Sequence, residues 1–351
     1  MKRQRCCRSP GGLGIVILML AAVVIATLAA CGGPYYYGSV TFVDSQHGWV
    51  TGWDNADTPQ TVVYGTSDGG ATWTQAGSHE PGGGAHVVGW VEFSTPTSGV
   101  WCVDKNSLLF TTTGGGVWSE ATITGMPASS YFTAASFATA TVGWASAVRG
   151  VKVPAQGGVI HKTSDGGATW YRQKVVKGGP NTGGFVDVDA TSELTCYALK
   201  DGESGGVWAT HDGGTTWTRH RLPGTSAKPV YDAIDFVSDS VGWAVGSTGK
   251  IAKTSDGGIN WMAQASHVKV RLRGVCFVSD SVGWAVGDKG CILATLDGGT
   301  HWVRQTSGTT AGLRVVDFVS PAEGWAVGRD GWVPGDSGVL RHTTDGGLTW
   351  H

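Results

Sequence analysis

The sequence predicts an all-β protein, a seven-bladed β-propeller built from four-stranded antiparallel blades. Two repeated motifs and their spacing support this prediction. The motif TxDGGxxW occurs in seven copies, and a Gly-Trp pair with small and apolar neighbours recurs in phase with it. Four short strands in each repeat of about 40–50 residues are typical of a propeller blade.

The first motif is nearly invariant along the chain. TSDGGATW at 66–73 returns unchanged at 163–170, and successive motif tryptophans lie 41 to 52 residues apart. These tryptophans are Trp73, Trp118, Trp170, Trp217, Trp261, Trp302 and Trp350. The motif aspartates are Asp68, Asp165, Asp212, Asp256, Asp297 and Asp345. The second copy has Thr113 at this position instead.

The second motif supplies the strands. VGWAVG occurs from Val241 and from Val282, and a Phe precedes the Trp of this motif by seven residues in most units. In the sixth unit the strands are RGVCFV, VGWAVG, GCILAT and HWVRQT, and turns with Ser, Asp, Lys and Gly separate them. No stretch after residue 31 has convincing helical periodicity.

We expect the TxDGGxxW motif to be structural, because seven copies cannot all be catalytic. The motif lies between the third and fourth strands. Paired glycines adopt positive φ without steric cost, and an Asp carboxylate can accept N–H groups of its own turn. The Trp can pack its ring between neighbouring strands.

The N-terminus differs from the rest. Four basic residues precede an apolar run that ends in Leu28-Ala29-Ala30-Cys31, a pattern typical of a secretion signal. The ending resembles a bacterial lipoprotein box. This resemblance implies a signal peptide over residues 1–30, a lipid on Cys31, and a short tether over residues 31–37 before a propeller of residues 38–351. An uncleaved transmembrane anchor is the alternative. Both place the propeller outside the cytoplasm, on the cell surface or in the periplasm.

The net charge argues against nucleic-acid binding, and the placement of the cysteines argues against disulfides. Loss of residues 1–30 would leave 21 basic and 27 acidic residues, a net charge of −6, which argues against nucleic-acid binding. Four cysteines would remain in the propeller: Cys102, Cys196, Cys276 and Cys291. We expect no disulfides, since Cys276 and Cys291 fall on the first and third strands of one blade, about 9–10 Å apart.

The motifs also carry a family resemblance. TxDGGxxW resembles the Asp-box, or BNR repeat, of sialidases and other propellers. Combined with GWAVG, it resembles the photosystem II stability/assembly factor-like propellers, best over residues 231–350. That resemblance implies an exported, non-enzymatic protein that holds a membrane-protein partner during assembly.

We therefore expect a lipid-anchored, monomeric binding or assembly scaffold without catalytic residues, metal or cofactor. A sialidase-like or other glycoside hydrolase and a carbohydrate-binding envelope protein are the alternatives. Three carboxylates each precede an inner-strand Phe: Glu92, Asp235 and Asp317. A glycosidase needs two carboxylates that face each other across a cleft, and these residues could form such a set. They could instead have the same structural role in three blades. His79, Glu80 and His86 could bind a metal or lie in a solvated loop.

The candidate binding face carries the loops between strands two and three and between blades. These loops vary in length, and variable loops on a rigid scaffold often hold function. Their basic residues are Arg149, Lys152, Lys177, Arg221, Lys228, Lys269, Arg271, Arg273, Arg314 and Arg329, with Trp332 nearby. Because Arg271 and Arg273 flank Leu272, both should point the same way, with Arg314 one blade away. This face would bind an acidic protein segment or an anionic glycan.

The seventh unit predicts only three strands, because the sequence ends at His351 directly after Trp350. We expect either that the N-terminal segment PYYYGSV supplies the fourth strand or that the chain is incomplete.

Overall fold

The strands of the protein form seven antiparallel sheets arranged as the blades of a propeller. A computed structural model describes residues 36–54, 60–80, 89–104, 107–127, 130–149, 157–176, 183–201, 205–224, 231–329 and 338–351. Within blades one to six the described strands are hydrogen-bonded in chain order, four to a blade, so the predicted fold class is confirmed.

The strand bounds follow the two sequence motifs. Blades one and two contain β1 Tyr36–Phe42, β2 Gly48–Asp54, β3 Gln60–Thr66, β4 Thr74–His79, β5 Val91–Phe93, β6 Gly99–Cys102, β7 Leu108–Thr111 and β8 Ser119–Glu120. Blades three and four contain β10 Ser130–Phe137, β11 Gly143–Arg149, β12 Gly158–Thr163, β13 Thr169–Val176, β14 Phe185–Ala190, β15 Cys196–Lys200, β16 Gly206–Thr210 and β17 Thr218–His220. Blades five to seven contain β18 Tyr231–Phe236, β19 Gly242–Gly246, β20 Ile251–Thr254, β21 Met262–Gln264, β22 Leu272–Phe277, β23 Gly283–Gly287, β24 Cys291–Thr295, β25 Val303–Thr306, β26 Gly312–Phe318, β27 Gly324–Arg329 and β28 Gly338–Thr343.

Two short elements lie outside this scheme. β9 (Thr122–Thr124) follows blade two but pairs in parallel with β13 of blade three, which adds a fifth strand to that sheet. A single 3-10 turn spans Ser247–Gly249. Across the described ranges, no helix is long and apolar enough to cross a membrane.

Aromatic stacks join neighbouring blades. A Trp of the Gly-Trp motif lies flat on the inner-strand Phe of the next blade, with ring centroids 3.4 to 3.5 Å apart. The stacked pairs are Trp49–Phe93, Trp243–Phe277, Trp284–Phe318 and Trp325–Phe42, and Tyr197–Phe236 takes the same arrangement. The Gly of the motif is needed because a Cβ on Gly242 would lie 2.4 Å from the Phe236 ring. The motif is therefore the device that packs blade against blade.

In each TxDGGxxW turn the conserved side chains bond to each other and to backbone N–H groups of the same turn. In blade five, Thr254 Oγ1 donates to Asp256 Oδ1 at 2.9 Å and accepts the Gly258 N–H at 2.9 Å. The same carboxylate accepts the Asn260 N–H at 2.9 Å, and both turn glycines have positive φ. The carboxylate therefore orders its own turn, and these bonds lower the pKa of Asp256.

The exceptional second copy achieves the same turn with a hydroxyl. Thr113 Oγ1 accepts the Val117 N–H at 2.8 Å, the bond that an aspartate oxygen accepts elsewhere. Thr111 Oγ1 accepts the Gly115 N–H at 3.1 Å. A threonine can therefore replace the aspartate without loss of the backbone geometry.

Blade seven has three strands among the described residues, and the N-terminal segment does not complete it. Tyr36–Phe42 pairs with β2 as the first strand of blade one. The prediction that this segment serves as a fourth strand of blade seven is therefore wrong. His351 exchanges two backbone hydrogen bonds with His342, of 3.0 and 2.9 Å, where the fourth strand begins in other blades. The stacking of Trp325 on Phe42 brings blade seven against blade one.

The four propeller cysteines are buried, and no disulfide joins any two of them. Cys276 lies on β22 and Cys291 on β24, with β23 between them. The spacing argument against a disulfide within this blade therefore holds in the structure.

Candidate functional site: the mouth of the central channel

The innermost strands surround a central channel. It has a cavity of about 380 Å³, lined only by residues of the first strands and the segments that lead into them. On one face the turns between strands one and two bond to the TxDGG turns, as in the 2.9 Å bond from the Gly69 N–H to the Gln46 oxygen. The opposite face carries the predicted binding loops, and we call it the mouth face.

A β-bulge at one fixed position shapes the channel mouth. In six innermost strands the pairing with the second strand shifts by one residue, four residues before the Phe position. The bulged residues are Gly38, Thr133, Val186, Asp232, Arg273 and Arg314. All six line the cavity. A bulge re-aims a side chain out of the regular alternation, so this ring of positions supplies the groups that a ligand in the mouth would meet.

Two of the predicted arginines occupy bulges, and a third lies beside them. Arg271 Nε donates to Asp232 Oδ2 at 2.7 Å, and its Nη2 donates to the other oxygen. Arg273 donates to both carboxylate oxygens of Asp288, at 2.6 and 3.3 Å. Leu272 between them is fully buried. The sequence did not indicate these two aspartates as partners.

Arg314 lies in a field of like charge. Its pKa is lowered to about 10, first because it is partly buried and then because Arg329, Arg273 and Arg271 surround it. Asp288 acts in the opposite direction. Four guanidinium groups of blades six and seven thus lie near one another, and Asp232, Asp288 and Asp201 are among the carboxylates that interact with them. This arrangement, which we call the arginine cluster, attracts an anion.

Carboxylates one layer deeper connect the blades. Asp189 accepts the Phe236 N–H, Asp235 the Phe277 N–H and Asp317 the Phe42 N–H, each at 2.6 Å. In each pair the carboxylate belongs to one blade and the N–H group to the next. Cys276 has the same position in blade six, and its sulfur accepts the Phe318 N–H at 3.4 Å.

The deeper layer therefore favours the structural interpretation of the candidate glycosidase carboxylates. One oxygen of Asp235 and one of Asp317 hold the backbone of the following blade. Glu92 Oε2 instead accepts the Thr41 hydroxyl at 3.4 Å. Asp235 and Asp317 thus form a repeated link between blades, and both line the channel together with Glu92.

Asp187 is a channel residue that no sequence motif indicates. It lines the channel and accepts the Val188 and Ile234 N–H groups, each at 2.9 Å. Burial raises its pKa to about 8, and the nearby Asp189 and Asp235 contribute. The channel below the arginine cluster is therefore lined by carboxyl groups, among them Asp187, Asp189 and Asp235.

Other predicted residues lie apart from this cluster. Arg221 and Lys269 are exposed on the loops between blades, and Arg149 ends β11. Trp332, Lys152, Lys177, Lys228, His86 and Cys31 lie outside the described residues. His79 ends β4 with Glu80 beside it, and in the described segments no group of three His, Cys, Asp or Glu side chains could hold a metal ion.

Comparisons with known proteins agree with this architecture. A family model for the photosynthesis system II assembly factor YCF48 matches residues 221–304 and 260–351. Over these residues the chain is therefore similar to the YCF48 family. A structure titled "YCF48 bound to D1 peptide" is 22% identical with a TM-score of 0.64, covering 89% of this chain and 92% of its own.

A second solved structure has the same fold. "YCF48 from Cyanidioschyzon merolae" is 19% identical to this chain, with a TM-score of 0.61, and the match covers 88% of this chain and 95% of that chain. No curated protein matches the sequence. The family match covers blades five to seven, which carry the arginine cluster.

Proposed function

We propose that this propeller is a lipid-anchored, extracytoplasmic scaffold that binds an acidic segment of a protein partner at the mouth of its central channel. It catalyses no reaction in this proposal. The observation that carries it is the arginine cluster, in which four guanidinium groups gather at the channel mouth and two of them, those of Arg273 and Arg314, occupy bulge positions that line the channel. A guanidinium group can pair with a carboxylate through two parallel hydrogen bonds.

Two further observations support a peptide partner. The structure titled "YCF48 bound to D1 peptide" shows that a protein of this fold holds a peptide. The carboxylates of Asp189, Asp235 and Asp317 accept backbone N–H groups of the next blade, which favours a role in blade packing over a role in catalysis. The Leu28-Ala29-Ala30-Cys31 sequence supports export and acylation of Cys31.

Binding is tested with the detergent-solubilised full chain and a fluorescent acidic peptide. The double change Arg273→Gln and Arg314→Gln should weaken binding at least tenfold, and added salt should weaken the wild type similarly. Arg221→Gln with Lys269→Gln removes the same charge from the same face, away from the cluster, and should retain most of the affinity. Equal weakening by both variants would show nonspecific attraction and refute the cluster as the site.

Anchoring and catalysis need separate measurements. Mass spectrometry of the N-terminal peptide should find lipid on Cys31, and Cys31→Ala should block cleavage or release the protein from membranes. Unchanged size and attachment in this variant would favour a transmembrane anchor. Hydrolysis of a sialoside or xyloglucan that survives the arginine changes but is lost in Glu92→Gln would establish an enzyme instead.

A further inference from the structure

One segment crosses the joint between blades two and three. Residues 121–126 follow β8 of blade two, and β9 within them pairs with residues 169–171 of β13 in blade three. Ala121, Ile123 and Met126 of this segment pack against the apolar cluster between the two blades. We call residues 121–126 the strap, because they close the outer rim of this joint.

Hydrogen bonds hold the strap to the last strand of blade three. The Thr122 N–H donates to the Ala168 oxygen at 2.8 Å. Arg172 Nη1 donates to the Gly125 oxygen at 3.2 Å, just beyond β9. Because β9 has three residues and forms the outer edge of its sheet, the strap can open at a lower free energy than the inner strands of the propeller.

A histidine lies inside the joint that the strap closes. His161 on β12 is fully buried, and its ring lies 5.5 Å from the ring of Phe132 in the apolar cluster. The backbone of Thr124 in the strap is near enough to influence this ring. Neither ring nitrogen forms a well-aligned hydrogen bond with a described residue. A buried polar group of this kind destabilises the closed joint.

The position of this histidine carries other residue types in the other blades. His161 pairs with Ala145, two residues after the Gly that begins the second strand. The guanidinium group of the blade-seven counterpart leaves the packing layer and donates to the Ser307 oxygen at 3.0 Å. Among the described strands, the buried imidazole and a fifth strand therefore occur in the same blade. The residues in this register elsewhere are Tyr64, Leu109, Trp208, Ala252, Leu293 and Arg341.

The surroundings of the histidine favour its neutral form. Burial is the main cause that lowers the pKa of His161 to about 4, and the guanidinium group of Arg172 acts in the same direction. Cys102 is the blade-two member of the cluster that could ionise, and burial raises the pKa of its thiol to about 12. This thiol therefore stays neutral and cannot stabilise a proton on the imidazole.

The strands around His161 offer no compensating charge. β9 to β13 contain no Asp or Glu. Tyr131 of β10 adjoins Phe132 and lies on the other face of that strand, and Arg149 ends β11. Lys162 and Lys174 reach toward blade four. A proton on the imidazole would therefore add a second positive charge beside Arg172 in apolar surroundings, and hydration of the ring would relieve this cost.

We propose that His161 is an acid-sensitive latch whose protonation opens the strap and exposes the outer edge of β13 and the buried Trp170 ring, while the seven-bladed ring stays closed. The inner end of the same joint does not depend on the strap, because β5 and β10 also pack against each other near the channel. Opening at the rim is therefore enough to bring water to the imidazole.

The size of the response follows from the two states of the ring. In the open strap the imidazole is hydrated and has its ordinary pKa of about 6.5, whereas the pKa is about 4 in the closed joint. Between these values only the open state takes up the proton, so the closed state loses stability as the pH falls. From pH 7.5 to 5 the equilibrium constant for opening should rise about 25-fold.

Hydrogen exchange of the full chain measures this opening. After correction for the intrinsic pH dependence of exchange, protection of the Thr122 amide should fall about 25-fold from pH 7.5 to 5. Protection of amides in β19 and β23 should be retained. His161→Phe, and His161→Leu as a second apolar replacement, should reduce the change at Thr122 to less than about threefold. The exposed His301→Gln should respond as the wild type does.

Two results of this experiment would overturn the latch. One is an equal fall in protection at Thr122 when His161 is replaced. The other is a fall of the same size in β19 and β23, which would mean that acid loosens the whole propeller.

A reversible crosslink tests whether the strap is the element that moves. Thr122 and Thr169 are a cross-strand pair, so Thr122→Cys with Thr169→Cys can form a disulfide between the strap and β13. In the oxidised protein the protection of residues 122–124 should no longer respond to pH, and reduction should restore the response. A response that survives oxidation would refute the proposal.

Discussion

Trp325 of blade seven stacks on Phe42 of blade one, with ring centroids 3.4 Å apart and planes inclined by 6°. Asp317 accepts the Phe42 N–H at 2.6 Å in the same joint. The first and last blades are therefore joined by the contacts that join consecutive blades elsewhere. Among the described residues the ring closes through this aromatic stack and the bond from a backbone N–H to a carboxylate, without an exchanged strand.

The closing stack should contribute measurable coupling. Phe42→Leu and Trp325→Leu should each lower the free energy of unfolding by about 2–4 kcal/mol, as expected for the loss of large buried aromatic rings. A double-mutant cycle should give about 1 kcal/mol of coupling. The matched cycle on Trp243 and Phe277, stacked at 3.5 Å inside the ring, should give a similar value. No coupling at the closure with normal coupling inside the ring would show that blade seven is not held to blade one.

The turn motif should depend more on its threonine than on its aspartate. Thr254 is buried and accepts the buried Gly258 N–H, whereas Asp256 is exposed and its Asn260 N–H partner can be hydrated. Urea unfolding should show a loss of about 2 kcal/mol for Thr254→Val and about 1 kcal/mol for Asp256→Ala. Peptide binding by the folded variants should not change. Loss of binding at full stability would reveal a functional motif.

Stability should fall on mild acidification because of His161. This side chain is fully buried and its ring lies 5.5 Å from that of Phe132, which packs between blades two and three. Burial lowers the pKa of His161 to about 4, with Arg172 acting in the same direction. Between the unfolded pKa of about 6.5 and pH 4, only the unfolded state takes up the proton, so stability decreases as the pH falls. From pH 7.5 to 5 the loss should be about 2 kcal/mol. His161→Phe should remove this pH dependence, whereas the exposed His301→Gln should leave it intact.

The deeper carboxylates should affect stability rather than chemistry. Asp235→Ala leaves the Phe277 N–H without its 2.6 Å acceptor and should cost about 1–3 kcal/mol. Cys276→Ala removes the longer sulfur contact at the same register, 3.4 Å from the Phe318 nitrogen, and should cost less through this bond. Thermal unfolding of both variants provides the comparison. A larger loss of stability in Cys276→Ala than in Asp235→Ala would contradict the view that these positions link the blades through their hydrogen bonds.

Most of the propeller could be predicted because the same sequence motifs recur in each blade. The Phe, the Gly-Trp pair and the TxDGGxxW turn each mark one strand end, and the observed bounds follow them. β9 could not be predicted, since its three residues pair in parallel with a strand of the next blade and carry no motif. The partners of Arg271 and Arg273 depend on distances between blades, which spacing along one chain does not encode.

The bulges left a signal that the prediction did not use. Leu272 and Phe277 are five residues apart and yet pack in the same cluster. In a regular strand an odd separation places side chains on opposite faces. Phe132 and Phe137 show the same relationship in blade three. A bulky residue five positions before the Phe therefore predicts a bulge, and with it the residue that faces the channel.

Because of this bulge, each innermost strand directs one set of side chains into the packing between blades and another set into the channel. Leu272 and Phe277 belong to the packing between blades, whereas Arg273 between them lines the channel. A replacement at the bulged position can change what the channel recognises and leave the wedge between blades untouched. The residue at the bulge can therefore differ from blade to blade. Ligand specificity of the channel can change one blade at a time while the packing that closes the ring is kept.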